Sequence, residues 1–317
     1  MTQEKLPPEL QDPFKDNGFK SINKAISASL HQVTDGMKGQ RRVYPTKWDR
    51  LNKNLLGGLQ PGKMYVIAGR PGVGKSAFSN QLIFDLLDKN QFKKLLVLYW
   101  SFEMPGYQQI LRAGAKGSNK QVSELLSVEH KLERDAYEAF KTEVLKYAHY
   151  SIYFNNIPRD MEFVKKSNVD VTNKYPDHTI VNVFDHSRLI LSEKDQELQK
   201  LNEVSKGCMW LQAKLGCINI LLSQLNRNIE QEHRAKAQYQ PLLTDLFGGD
   251  SIGQDAHVVM MLQRPNDLYG ITDKYCGESP LGLLAVHIEK NRDGLLGMIP
   301  YEAEMSTFTI NERKNKI

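Results

Sequence analysis

Gly69 to Ser76 reads G-R-P-G-V-G-K-S and fills G-x-x-x-x-G-K-[ST], a spacing that suits a loop wrapped around phosphate. In the stretch Gly69, Arg70, Pro71, Gly72, Val73, Gly74, Lys75, Ser76 and Ala77, the glycines let successive backbone N–H groups turn inward around an anion. The helix that follows offers its positive N-terminal end. Lys75 is positioned to reach the β and γ phosphates, and Ser76 supplies a hydroxyl for Mg²⁺, a hard cation that prefers oxygen. An ordinary glycine turn is the plain alternative. Strand-like Tyr65-Val66-Ile67 before the loop, and Phe78, Leu82, Ile83 and Leu86 at helical spacing after it, favour the phosphate loop.

Three more polar residues close apolar runs, the place where ligands bind in an open α/β sheet. Asp185 follows I-V-N-V-F and suits a carboxylate of a Mg²⁺ shell, since an acid there needs a cation or donors to offset its desolvation. A turn or N-cap aspartate is the alternative. Glu103 follows L-L-V-L-Y-W-S-F and is placed to orient and deprotonate a water attacking a γ-phosphate, or else to satisfy the first turn of a helix. Gln224 follows I-N-I-L-L-S; as donor and acceptor it can sense a γ-phosphate and pass its state to the next loop, or it simply ends a strand. Lys290 and Arg292, in H-I-E-K-N-R-D-G, stand two apart on a strand and so share a face before the turn at Asp293-Gly294. That pair suits a phosphate supplied across a subunit boundary, or is two exposed strand charges. The polar stretch 226–241 carries Arg227, His233, Arg234 and Lys236 with one aromatic, Tyr239, as a nucleic-acid path or a solvated loop would.

The elements that must position these groups divide the chain into an arm, residues 1–43, and a domain, residues 44–317. Residues 1–17 are polar with Pro7, Pro8 and Pro13, a flexible lead-in. Phe19, Ile22, Ile26, Leu30 and Val33 then form one face of a short helix ending near Gly36 and Gly39, before the basic linker at Arg41 and Arg42. That stripe must be buried on its own domain or on a neighbour. Beyond Tyr44, apolar runs at 95–99, 180–184, 218–222, 258–262 and 284–288 alternate with helical stretches. Continuous runs of this kind mark strands buried on both faces, hence an α/β fold with a mainly parallel, helix-covered sheet.

Composition sets bounds without choosing a function. The 317 residues carry 42 Lys and Arg against 37 Asp and Glu, a net +5 that permits an anionic partner without requiring one. Cys208, Cys217 and Cys276 lie too far apart for a C-x-x-C pair and read as reduced, packing residues. The chain starts without an apolar signal core, and no run approaches the ~20 apolar residues that cross a bilayer. These features imply no membrane partner and a cytoplasmic protein, of a bacterium or of a phage-infected cell.

The ordered motifs resemble the RecA-like motor domain of DnaB-type replicative DNA helicases, bacterial or phage, over about residues 44–310. They are G-G-L-Q-P-G at 57–62, the phosphate loop, S-F-E-M at 101–104, Asp185, L-S-Q-L-N-R at 222–227, S-I-G-Q-D-A at 251–256 and E-K-N-R-D-G at 289–294. The resemblance implies a RecA-like P-loop fold that hydrolyses ATP with Mg²⁺ between subunits of a homo-oligomeric, hexameric ring. Such a ring translocates 5′→3′ on single-stranded DNA and unwinds duplex, with a primase or loader acting in trans. It makes Glu103 the catalytic glutamate, Gln224 the γ-phosphate sensor, and Lys290 with Arg292 the finger that reaches a neighbour's ATP. The helix from Phe19 is similar to the linker helix that docks on the adjacent subunit. Two departures stand out: only about 40 residues precede the motor, leaving no room for a primase-engaging domain, and D-L-F-G-G-D replaces the usual D-L-R-E-S-G. Phe247 and Gly248 thus take the places of an arginine and a glutamate in a DNA-facing turn, and Phe247 either stacks on a base or anchors the loop. A recombinase-like ATPase and an ATP-gated loader are the rival readings; the Lys-x-Arg pair argues against an AAA+ loader.

Overall fold

In the computed structural model, which describes residues 21–186, 190–192, 194, 196–247 and 249–314, the run Met64–Gly69 folds as β1 near the middle of a sheet. The other strands are β2 (Leu95–Ser101), β3 (Ile152–Asn155), β4 (Thr179–Asp185), β5 (Ile218–Gln224), β6 (Val258–Gln263), β7 (Leu283–Asn291), β8 (Gly297–Glu304) and β9 (Thr309–Glu312). Helices are α1 (Ile22–Met37), α2 (Asp49–Asn54), α3 (Lys75–Lys89), α4 (Gly106–Ser118), α5 (Val122–Leu126), α6 (Arg134–Leu145), α7 (Met161–Lys174), α8 (Glu197–Leu215), α9 (Gly249–Asp255) and α10 (Pro265–Tyr269). The strands lie in the order β3-β2-β4-β5-β1-β6-β7-β8-β9. Pairing is parallel from β3 through β6 and antiparallel from β6 to β9.

Side chains alternate across a strand, so β1 serves two cores at once. Tyr65 and Ile67 pack on Phe78, Leu82, Ile83 and Leu86 of α3, while Met64, Val66 and Ala68 face Leu201, Val204, Cys208 and Leu211 of α8 with Ile252 of α9. Burial on both faces is why these runs contain no polar alternation. The same pattern hides strand direction: Leu284 to Ile288 reads like its parallel neighbours, yet β7 runs antiparallel to β6. β3, β8 and β9, short or half-exposed, left no continuous apolar run to find. Cys208 and Cys217 are buried packing residues, whereas Cys276 is exposed.

Contacts divide the chain after Arg42. In the first unit α1 starts at Ile22, where the Ser21 hydroxyl accepts from the Lys24 N–H. It ends at Met37, and no residue along it is buried. Phe19, expected on this helix, lies outside the described residues.

Within the domain, buried amides of the sheet join into a closed network. Asn182 of β4 stands opposite Asn219 of β5. Its amide nitrogen donates to Asn168 Oδ1 at 2.9 Å and Asn219 Oδ1 at 3.1 Å, and its oxygen accepts from Trp100 Nε1 and Asn168 Nδ2, both at 3.0 Å. Asn219 Nδ2 in turn donates to the Cys208 carbonyl at 3.0 Å. Three fully buried amides thereby join β2, β4 and β5 to α7 and α8, three residues below Asp185. Asn182→Ala strands the partners of this network, so it should lower stability to urea by about 2–4 kcal/mol, whereas Asn202→Ala, at an exposed position of α8, should change it little. Equal unfolding midpoints for both variants would show the network to be energetically idle.

Candidate active site

Register brings the polar strand ends to one level. Gly69 pairs with Gln224 across β1 and β5, and Asp185 pairs with Ser101 across β4 and β2. Lys75, Ser76, Glu103, Asp185 and Gln224 consequently line one cavity of about 340 Å³.

The loop Gly69–Ser76 reaches this cavity through left-handed glycines at Gly72 (φ 79°) and Gly74 (φ 101°), the latter capping α3. A Cβ at Gly74 would sit 2.7 Å from Met305 Cε, so glycine is required there twice over. Val73 is fully buried and anchors the loop in the core. The Lys75 ammonium donates to the carbonyls of Gly69 at 3.0 Å and Arg70 at 3.2 Å. Burial pushes its pKa down to about 8, a shift that the negative charges of Asp185 and Glu103 oppose. The Arg70 side chain leaves the cavity: its Nε meets Glu230 Oε1 at 2.6 Å and its NH1 the Leu225 carbonyl at 2.9 Å. Arg70 thus ties the phosphate loop to the 3-10 turn Arg227–Glu230.

Asp185 is 2% exposed, and burial raises its pKa to about 6, with the charge of Glu103 adding to the rise. Ser76 Oγ donates to Oδ1 at 3.3 Å, while Oδ2 is buried without a hydrogen-bond partner. A hydroxyl beside a carboxylate oxygen lacking a donor is an all-oxygen ligand set, which fits Mg²⁺. Glu103 is exposed in the bend after β2, three residues before α4 begins, and so is not a first-turn helix glutamate. Its bend is braced from below. Ser101 Oγ donates to the Met104 carbonyl and accepts from Gln109 Nε2, and Asn80 of α3 donates to Gln109 Oε1 at 2.8 Å. The Gln224 carbonyl accepts from the Phe247 N–H at 2.9 Å, joining the end of β5 to the turn before α9.

Lys290 and Arg292 stand elsewhere. Lys290 pairs with Val259, itself level with Val66, so Lys290 lies about 10 Å along the strands from the level of Gly69, and Arg292 lies further still. Both share a face, as expected: Lys290 Nζ donates to the carbonyls of Gly253 and Gln254, and Arg292 to that of Gln254, at 2.7–2.8 Å. Neither lines the cavity of its own chain.

The nucleic-acid candidates separate into three groups. Arg227 and Lys236 are exposed. Arg234 requires correction: its guanidinium is 12% exposed and forks onto buried Asp245 at 3.0 and 2.9 Å, so it clamps the loop's own fold and is not open to a phosphate. Phe247 is half-buried against the α8 and α9 core, the anchoring role. Gly248 lies outside the described residues. Sequence reasoning missed Arg112, Arg264, Met305 and Phe308 on the cavity wall, where the Arg112 guanidinium lies 4.9 Å from the Phe308 ring centre. Arg112 sits two turns into the helix after Glu103 and was within reach of a helical-face argument. Met305 and Phe308, in the turn between β8 and β9, carry no local signal at all.

With this geometry in hand, comparison with known proteins is informative. The family described as the DnaB-like helicase C terminal domain matches residues 44–310. "Replicative DNA helicase DnaB" of Rickettsia prowazekii is 22% identical over 336 aligned residues, covering 96% of this chain and 66% of that protein. The Mycoplasma pneumoniae protein of the same name is 27% identical over 272, covering 81% and 55%. The chain thus spans less than two thirds of the length of either relative. Among solved structures, an ATPase domain determined on its own superposes with a TM-score of 0.81 at 18% identity, covering 93% of this chain and all of that one. A DnaB-like replicative helicase solved for its interactions with primase superposes at 0.79, 18% identical, over 93% and 68%. These likenesses establish the RecA-like fold.

The raised pKa of Asp185 makes a signed statement about stability. Its folded-state value of about 6 exceeds the ordinary 3.8, so its favourable contribution is complete below about pH 3.8 and is lost as pH rises through 6. In the ligand-free chain Asp185→Asn should therefore raise stability by roughly 2–3 kcal/mol at about pH 8, with the gain shrinking toward zero near pH 4. Urea unfolding across pH measures this, and coincident curves for the two proteins at pH 8 would contradict it.

Proposed function

This chain belongs to the DnaB-like helicase C-terminal domain family, and from that premise we propose that it is the ATP-driven motor of a replicative DNA helicase. The reading is carried by one observation: Lys75, Ser76, Glu103, Asp185 and Gln224, from four strand ends, meet at one cavity. ATP enters with its phosphates in the Gly69–Ala77 loop, where Lys75 leaves the Gly69 and Arg70 carbonyls for the β and γ oxygens. Met305 and Phe308 supply the apolar wall against which a base lies. Mg²⁺, held by Ser76 and Asp185, neutralises charge on the transferred phosphoryl group. Glu103 accepts the proton of the attacking water, and Gln224 contacts the γ-phosphate and passes its loss to Phe247 through the strand-end hydrogen bond.

Lys290 and Arg292 complete the site of a second copy. Their distance from the chain's own cavity supports action in trans and opposes action in cis. ATP then lies between subunits of a homo-oligomer, a hexameric ring by family resemblance, in which hydrolysis drives 5′→3′ movement on single-stranded DNA in the cytoplasm. Arg227 and Lys236 are cations open to the DNA backbone, and a primase or loader acts as a separate protein. Among the described residues no helix is long and apolar enough to cross a membrane.

Glu103→Gln should retain ATP binding and lose most hydrolysis, while Lys75→Ala should weaken both. Nucleotide binding and phosphate release measured side by side decide this, and wild-type turnover in Glu103→Gln would sink the assignment. Because a trans arginine contributes about 10³-fold or more to turnover, Arg292→Ala subunits mixed with wild type should depress ATPase and forked-duplex unwinding beyond simple dilution. A linear fall with mutant fraction would return Arg292 to a structural role on α9.

A further inference from the structure

At the end of the sheet opposite the phosphate loop, the turn between α3 and β2 faces the segment leading into β3 across a groove of about 460 Å³. Its lining carries five basic side chains, Lys93, Lys94, Lys146, His149 and His178, and among the described residues no carboxylate. Lys94 and Lys146 pair with Asp177 and Glu143 at 2.6 and 2.5 Å, but these are largely exposed pairs, weak enough to be exchanged for another anion. At the tip of the turn Phe92 is wholly exposed, a large aromatic ring with nothing covering it.

The floor holds the second observation. Asn90 is 3% exposed, and its amide nitrogen donates to the carbonyls of Pro45 at 2.9 Å and Leu86 at 2.7 Å. Those bonds fix the orientation of the amide, yet its Oδ1 is buried without a partner, as is His178 Nδ1 on the same groove. A buried acceptor without a donor costs free energy that an incoming N–H recovers.

We propose that this groove docks an acidic polypeptide segment of a partner protein. Its carboxylates meet the basic rim, an apolar side chain covers Phe92, and a backbone N–H donates to Asn90 Oδ1. Nucleic acid satisfies the rim equally well, but a phosphodiester backbone offers acceptors only, and the floor asks for a donor. A polypeptide presents an N–H at nearly every residue. Ser151 also leads directly into β3, the outermost strand of the sheet, beside which an extended peptide can lie.

The test is fluorescence anisotropy of a labelled peptide of about twelve residues, alternating Glu with Leu and Val to present acids and apolar groups on opposite faces, titrated with the full chain. Saturable binding is expected. Phe92→Ala and Lys94→Glu should each weaken it about fivefold or more, as should replacing every Glu of the peptide by Gln. Phe92 is wholly exposed, so its truncation leaves the fold intact, and ATPase activity should be unchanged because the groove is remote from the nucleotide cavity. Binding that fails to saturate, or that neither substitution weakens, overturns the proposal. An oligothymidylate whose affinity falls in Phe92→Ala would also overturn it, by assigning the groove to nucleic acid.

Discussion

The level at which β1, β2, β4 and β5 end is the constraint from which the rest of the molecule follows. Parallel pairing aligns Gly69 with Gln224 and Asp185 with Ser101, so four segments that are far apart in sequence discharge their polar residues at one edge. Slipping any of these strands by one residue would carry its functional side chain about 3.3 Å along the sheet and turn it to the opposite face. The two packed cores and the buried Asn168–Asn182–Asn219 network oppose such a slip. Site geometry and core packing are therefore one specification.

Placing charge at that edge has an electrostatic cost that the fold tolerates. Burial pushes Lys75 down to about 8 and Asp185 up to about 6, so desolvation drives both toward neutrality even though they attract one another. Each shift favours a ligand that restores the charged form: an anion beside Lys75, a cation beside Asp185. A nucleotide with its metal answers both demands together, which gives the proposed chemistry a thermodynamic reason to reside there.

Two connections leave the phosphate site for the segment 226–247: the Arg70–Glu230 ion pair and the hydrogen bond from Phe247 to Gln224. That segment is itself stiffened, since Arg234 grips Asp245 with both guanidinium arms. A change at the γ-phosphate thus has a short, bonded route to exposed Arg227 and Lys236. At the other end of the sheet, Lys290 and Arg292 rest on α9, turned away from their own cavity. One chain carries the loop half of a site at one edge and the cationic half at the other, an arrangement suited to copies that complete each other.

Local sequence determined the features that depend on neighbours along the chain. The glycine spacing of the phosphate loop, the polar residues that close the apolar runs and the stripe on α1 were all legible, because backbone conformation and periodic burial leave local marks. Direction of pairing was not legible: β7, buried on both faces over most of its length, presents the same apolar run as a parallel strand. Nor were Met305 and Phe308 on the cavity wall, which arrive from a turn more than two hundred residues beyond the phosphate loop. The fate of individual cations was likewise settled in three dimensions. Arg234 and Lys236 look alike in sequence, but only Arg234 grips Asp245, and a buried carboxylate left without its cation is costlier than an arginine taken out of water. Residue types and spacing decided which chemistry the chain is able to perform; the tertiary structure decided which of those residues are left available to perform it, because pairing and burial act between residues that the sequence keeps apart.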